Sequence, residues 1–145
     1  MYKVRYKTEE EKEKYSFQGF AGEPESIVIE EELDPKRKGF VLAHEIGHVR
    51  FPVQRKRLSV AERRKLSDKD YIRYCAETDV TGLLDELYAD YFVLKESDSV
   101  YNKREARKHI RWIKSTFTRS LSPIQIKRLD AVARRLVDYE GPEIK

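Results

Sequence analysis

The amino-acid sequence predicts an α+β domain, with a small antiparallel or mixed sheet of about three strands at the N-terminus and helices after it. Over residues 1–33 the apolar residues alternate with charged ones or come in short blocks broken by glycine and proline. From Pro35 onward they recur at helical spacing. No internal repeat, Ser/Gly-rich linker or low-complexity tract divides the 145 residues, a length that suits one domain with one substantial core. The expected organisation is a single domain over 1–145, with a sheet over 1–33, site helices over 34–96 and basic helices over 97–145.

Taken in order, Tyr2, Val4 and Tyr6 alternate with Lys3, Arg5 and Lys7, the pattern of a half-buried strand. Thr8 and Glu11 have capping-box spacing over a short acidic turn. A second strand is expected over 15–22 (YSFQGFAG), and a third over 26–33 (SIVIEEEL) beyond the turn at Glu23-Pro24. Asp34 caps and Pro35 opens a long helix, which must stop by Phe51 because Pro52 disfavours helical geometry in the residue before it. Ser59 with Glu62 opens a short helix through Leu66, and Ser67 or Asp68 opens another to about Ala76. Thr81 leads into GLLDELYADYFVLKE, a helix to about Lys95. Ala106, Ile110, Ile113 and Phe117 mark one more helix. Ser122, Pro123 and Gln125 announce the last, with Leu129, Val132 and Leu136 expected to face inward.

Composition narrows the class. Hydrophobic and charged residues each make up 39% of the chain, with nine Tyr, six Phe and one Trp, more aromatics than a disordered chain carries. Cys75 is the only cysteine, which excludes an internal disulfide and any cysteine-built zinc site; it reads as a small buried apolar residue. No stretch reaches the roughly 20 apolar residues that span a bilayer, and the charged N-terminus lacks the apolar core of a signal peptide. A cytoplasmic location and no membrane partner are the expectations. One Asn, three Gln and one Met amid abundant Lys, Arg and Glu give the residue bias of thermophile proteins. The net charge of +4 is uneven. Residues 101–145 hold twelve Lys/Arg against five Asp/Glu, whereas residues 1–100 hold eighteen against twenty-one. That basic third is either the solvated face of amphipathic helices or a surface for nucleic acid or an acidic partner.

Within the apolar run FVLAHEIGHVRFP, His44, Glu45 and His48 form an HExxH motif. Helix positions four apart differ by about 40° and one turn of roughly 5.4 Å, so both imidazoles can address one ion. Glu45, about 100° around, can reach a water on that ion as general base. Gly47 costs a helix interior roughly 1 kcal/mol relative to alanine, which points to close approach of another element there. Two histidines leave a zinc site one protein ligand short. His109 is the only other histidine, and position 54, where a metzincin-type third histidine would fall, is Gln54. In DELYADYF, Glu86 and Asp90 share a face of an otherwise apolar helix. Glu86 as third ligand and Asp90 as hydrogen-bond partner of a ligand imidazole would account for both, the alternative being a solvated helix edge.

SIVIEEELDPKRKGFVLAHEIGHVRF followed by DELYADYFV resembles the ImmA/IrrE-like metallopeptidases of the gluzincin branch of zincins. Phe40, Leu42, Ala43, His44, Glu45, Ile46, Gly47 and His48 carry the first half of the match, and Glu86, Ala89, Asp90 and Phe92 the second. The short chain with its helical tail is also similar to the minimal gluzincins, or minigluzincins; no helix-turn-helix segment is evident. The resemblance implies a zincin-like fold, Zn²⁺ held by His44, His48 and Glu86, and Asp90 supporting a ligand. It also implies hydrolysis of a peptide or protein substrate by a metal-activated water with Glu45 as general base. Tyr74, Tyr88, Tyr91 and His109 are candidates for steadying the oxyanion. Two other readings are a latent or regulatory zinc protein, its cleft covered by the C-terminal segment or a partner, and a nucleic-acid-binding protein using residues 101–145.

Overall fold

The computed structural model describes residues 3–23, 26–50, 60–78 and 80–138. Three strands come first among these: β1 (Lys3–Tyr6), β2 (Gly19–Glu23) and β3 (Ser26–Ile29), with α1 (Glu9–Lys14) between β1 and β2. They form a mixed sheet in the order β1-β3-β2, β3 running parallel to β1 and antiparallel to β2. Six helices follow: α2 (Pro35–Arg50), α3 (Val60–Lys65), α4 (Asp68–Thr78), α5 (Thr81–Glu96), α6 (Val100–Phe117) and α7 (Pro123–Val137). This is an α+β, zincin-like architecture.

Strand β3 is central, and its apolar run is buried on both faces. Ile27 and Ile29 pack with Phe40, Val41 and Val93, while Val28 packs with Phe17 and Phe20 on the other side. The half-buried reading of β1 does not hold: Val4 and Tyr6 are each 49% exposed. β1 is an edge strand, and α2 packs across β2 and β3 instead. Lys7 is the residue that turns inward, its ammonium bonded to the Tyr15 carbonyl at 2.9 Å and Glu30 at 2.8 Å. β2 begins at Gly19, later than residue 15, because Tyr15 caps the end of α1 and Phe17 folds into the small aromatic cluster. β3 ends at Ile29, where the chain turns toward the Asp34 cap of α2.

The capping signals act largely as expected. The Thr8–Glu11 and Ser122–Gln125 boxes are both formed. Asp34 Oδ1 accepts the Lys36 N–H at 2.8 Å, and Ser67 Oγ accepts the Asp70 N–H at 3.1 Å, making Ser67 the cap of α4. Val80 is the cap residue of α5, without a side-chain bond, and Thr81 lies in the first turn. The expected helix stop at Phe51 and Pro52 and the Ser59 cap lie outside the described residues. In α7 the buried line is Ile126, Asp130 and Ala133; Leu129 packs against the core at its margin, and Val132 and Leu136 are half-buried.

Helix α5 runs through the middle, packed by α2, α4, α6 and α7. Leu83 and Leu87 join Ile72, Cys75, Ile113 and Phe117 in the main core, where Cys75 is buried as expected. A helix covered on all sides should be apolar throughout. Yet α5 also buries Asp85, Glu86 and Asp90, and all three face the site described below.

The glycine inside α2 has the role its position suggests. A Cβ on Gly47 would lie 2.8 Å from Ala89 Cα and 3.0 Å from Ala89 O, so the bare backbone of α2 at Gly47 rests directly on α5 at Ala89. Gly47→Ala is therefore expected to destabilise the protein by about 1–3 kcal/mol in urea unfolding, because overpacking outweighs the gain of roughly 1 kcal/mol in helix propensity. A stability increase would mean that the contact yields freely.

Candidate metal centre

The α2–α5 contact at Gly47 and Ala89 brings the polar faces of the two helices together. His44 and His48 lie one turn apart on α2, and their Nε2 atoms approach to 2.9 Å. Glu86 of α5 faces both, with Oε2 at 3.1 Å from His44 Nε2 and Oε1 at 3.2 Å from His48 Nε2. Each imidazole is held from behind by another α5 carboxylate. Asp90 Oδ1 is 2.8 Å from His44 Nδ1, and Asp85 Oδ1 is 2.9 Å from His48 Nδ1. A carboxylate accepting from Nδ1–H leaves Nε2 to supply the lone pair once the ring is neutral, and both Nε2 atoms face one point.

His44, His48, Glu45 and Glu86 are all buried. Burial alone would depress the two imidazoles. For His44 the Asp90 and Glu86 carboxylates outweigh it and hold the ring well above its ordinary value. Asp85 and Glu86 likewise raise His48 to about 10. Burial would raise Glu86, but the two imidazoles hold it well below the usual carboxylate range. Asp90 is lowered against its burial by His109 and His44. Four buried carboxyl groups, Glu45, Asp85, Glu86 and Asp90, thus stand among three imidazoles, His44, His48 and His109, an environment that attracts a cation.

His44, His48 and Glu86 can hold a metal ion together. Ligand atoms of a tetrahedral zinc, with bonds of about 2.0–2.1 Å, lie roughly 3.3 Å apart. The observed edges of 2.9, 3.1 and 3.2 Å come close to that triangle. Two imidazoles, one carboxylate and an open fourth direction form the donor set of a catalytic zinc site, so the residues present fit the ion.

Glu45 stands beside this triangle rather than in it. It lines a cavity of about 60 Å³ together with His44, Glu86 and Gly19. Gly19 is required there, since a Cβ at that position would lie 2.9 Å from Glu45 Cγ and 2.5 Å from Val41 Cγ1. Burial pushes the Glu45 carboxyl up, with His48 and His44 opposing. Arg63, Asp68, Tyr71 and Ile72 close the cavity from the α3–α4 side.

The oxyanion candidates separate clearly. His109 lines the cavity and is fixed by Asp90, whose Oδ2 is 2.7 Å from His109 Nδ1. Tyr91 instead bonds Asp130 of α7, with Lys114 beside it. Tyr74 packs at the edge of the helical core, and Tyr88 is buried with its hydroxyl pushed up by that burial. None of these three tyrosines lines the cavity. The sequence motif does not mark Asp85, although a signal exists: two imidazoles that could share one ion each want an Nδ1 partner, and Asp90 supplies one. Asp85→Asn is expected to weaken metal binding about 10–100-fold in a chelator competition, since the amide holds the His48 ring less firmly. Unchanged affinity would remove Asp85 from the site.

No helix among the described residues is long and apolar enough to cross a membrane. No curated protein and no solved structure matches the chain. The family model of the IrrE N-terminal-like domain, a peptidase family, matches residues 4–122, taking in the sheet, the α2–α5 site and α6. The chain belongs to the IrrE N-terminal-like domain family of peptidases.

Proposed function

We propose that the protein is a zinc-dependent peptidase in which His44, His48 and Glu86 hold the ion and Glu45 is the general base. The observation that carries this reading is the convergence of two carboxylate-backed imidazoles and a buried carboxylate within 3.2 Å, with a second buried carboxylate alongside. When bound, zinc would supply Lewis acidity to a water and to the scissile carbonyl. Glu45 takes the proton of the attacking water and returns it to the departing amine. Asp85 and Asp90 keep the imidazoles in register, and the Phe40, Val41 and Ile72 walls exclude bulk water, which strengthens each of these interactions.

A regulatory metal protein with a closed cleft is the second reading, and the cavity favours it. Its roughly 60 Å³ holds only a few waters, less than a peptide segment needs without movement of the walls. The Gln18 N–H donates to Asp68 Oδ2 at 3.1 Å, which ties the residue before β2 to α4 at the cavity rim. None of α7 lines it, so among the described residues that helix is not the cover.

Wild type and Glu45→Gln, assayed for bound zinc and for cleavage of a mixed peptide pool, test the proposal. Equal zinc with cleavage by wild type alone supports it. Zinc without cleavage in either protein moves the reading to the regulatory one, and absence of metal from wild type overturns both.

A further inference from the structure

Outside the site cavity lies a larger groove of about 360 Å³. The two share Gln18, Arg37, Phe40, Asp68 and His109, so the groove opens onto the cavity across these residues. A polypeptide whose scissile bond reaches Glu45 must rest its neighbouring residues there. We propose that this groove selects acidic polypeptide segments, seating an apolar side chain on Trp112 while adjacent carboxylates meet Arg37, Lys69 and Lys108. The inference rests on the peptidase reading.

On α6, Glu105, Lys108, His109 and Trp112 fall at i, i+3, i+4 and i+7, one continuous helix face. It is separate from the core line of Ala106, Ile110, Ile113 and Phe117. The Trp112 indole is half-buried and stacked on the His109 imidazole at 5.9 Å, with 17° between the planes. His109 is bonded to Asp90, which also holds His44. The aromatic shelf is thereby anchored to the same carboxylate as the metal-facing ring, at a fixed distance from the chemistry.

The charge around the shelf is unbalanced. Arg37 and Lys108 both draw on Glu105, at 3.4 and 3.6 Å. One carboxylate thus serves two cations. Asp68 is committed to Arg63 and to the Gln18 N–H. Lys69 is exposed and makes no ion pair among the described residues. Beyond the rim, α6 carries Lys103, Arg104, Arg107 and Arg111 against the single acid Glu105, while its Lys114 is paired with Asp130 of α7. A cationic rim around an aromatic floor complements an acidic segment with an apolar anchor, and repels a basic one.

Trp112 is the only tryptophan, so its fluorescence reports occupancy of the groove without turnover. The probe proteins are zinc-loaded Glu45→Gln and the same protein carrying Lys69→Glu and Lys108→Glu. Three peptides share one leucine and differ only in flanking Glu, Gln or Lys. The Glu peptide is expected to shift Trp112 emission with a Kd at least about tenfold below that of the Lys peptide, a gap that narrows in high salt. The double charge reversal is expected to invert the order. Equal binding of the three peptides, or an order the reversal leaves intact, overturns the proposal. So does tighter binding of a single-stranded oligonucleotide of the same length, which would make the surface a nucleic-acid site. Charge-selective binding with no cleavage by wild type would sink the peptidase reading and leave the groove standing; indiscriminate cleavage with a silent Trp112 would do the reverse.

Discussion

Glu45→Gln is expected to hold zinc at the wild-type stoichiometry and to lose about 10²–10⁴-fold in peptide hydrolysis. The two halves of that result have separate causes. Metal content depends on the His44, His48 and Glu86 atoms that converge within 3.2 Å, and Glu45 contributes none of them. Hydrolysis depends on a group that can accept a proton, and an amide has no such capacity. The exchange preserves shape where shape is critical, because the Glu45 side chain lies directly under Gly19, against which an added methyl would clash. Glutamine fills the same volume and leaves that contact intact. Elemental analysis, thermal unfolding and a peptide assay on the same preparation separate the outcomes. A variant that loses zinc along with activity would place Glu45 among the ligands, and one that keeps full activity would give the proton transfer to another group.

How much of this was legible in the sequence depended on how local the determinant was. Helix α2, with its imidazole pair, follows from 3.6-residue periodicity and the Asp34-Pro35 start, both local signals. Glu86 and Asp90 were readable because carboxylates at i and i+4 in an apolar helix demand a reason. Asp85 escaped because it lies about 100° from Glu86, where a single helical wheel reads it as an edge residue. Only the placement of α5 against α2 turns that edge toward His48. The N-terminal sheet shows the same limit. Alternation in β1 is real, but strand order decides which face is covered, and a β1-β3-β2 order leaves Val4 and Tyr6 at the outside. The placement of the basic third was equally illegible. Its cations are spaced for a solvated helix, and only the tertiary fold puts Lys108 and Trp112 at the mouth of the site.

Glu86→Ala should have the larger effect on the metal itself. It removes the one carboxylate among the described residues that faces both Nε2 atoms, leaving two imidazoles 2.9 Å apart as the remaining donors. Zinc content is expected to fall from about one ion per chain to below about a tenth after gel filtration, and hydrolysis to fall with it. The fold should survive, because His44 keeps Asp90, His48 keeps Asp85, and the Gly47–Ala89 contact between the helices does not involve Glu86. Thermal unfolding then provides a readout independent of activity. Zinc at 100 times its Kd stabilises a folded state by about 2.7 kcal/mol, so wild type should gain several degrees on zinc addition and the variant almost none. The competing arrangement is His44, Asp90 and His109, which also come within ligand distance of one another. If Glu86→Ala retains stoichiometric zinc, that second cluster is the metal site, and adding His109→Ala should abolish the retention. The two clusters make opposite use of His44, since the first needs Nε2 free with Nδ1 held by Asp90, and the second would take Nδ1 for the metal. The Asp90–His44 hydrogen bond at 2.8 Å already commits Nδ1, which is why Glu86 is the residue whose loss should empty the site.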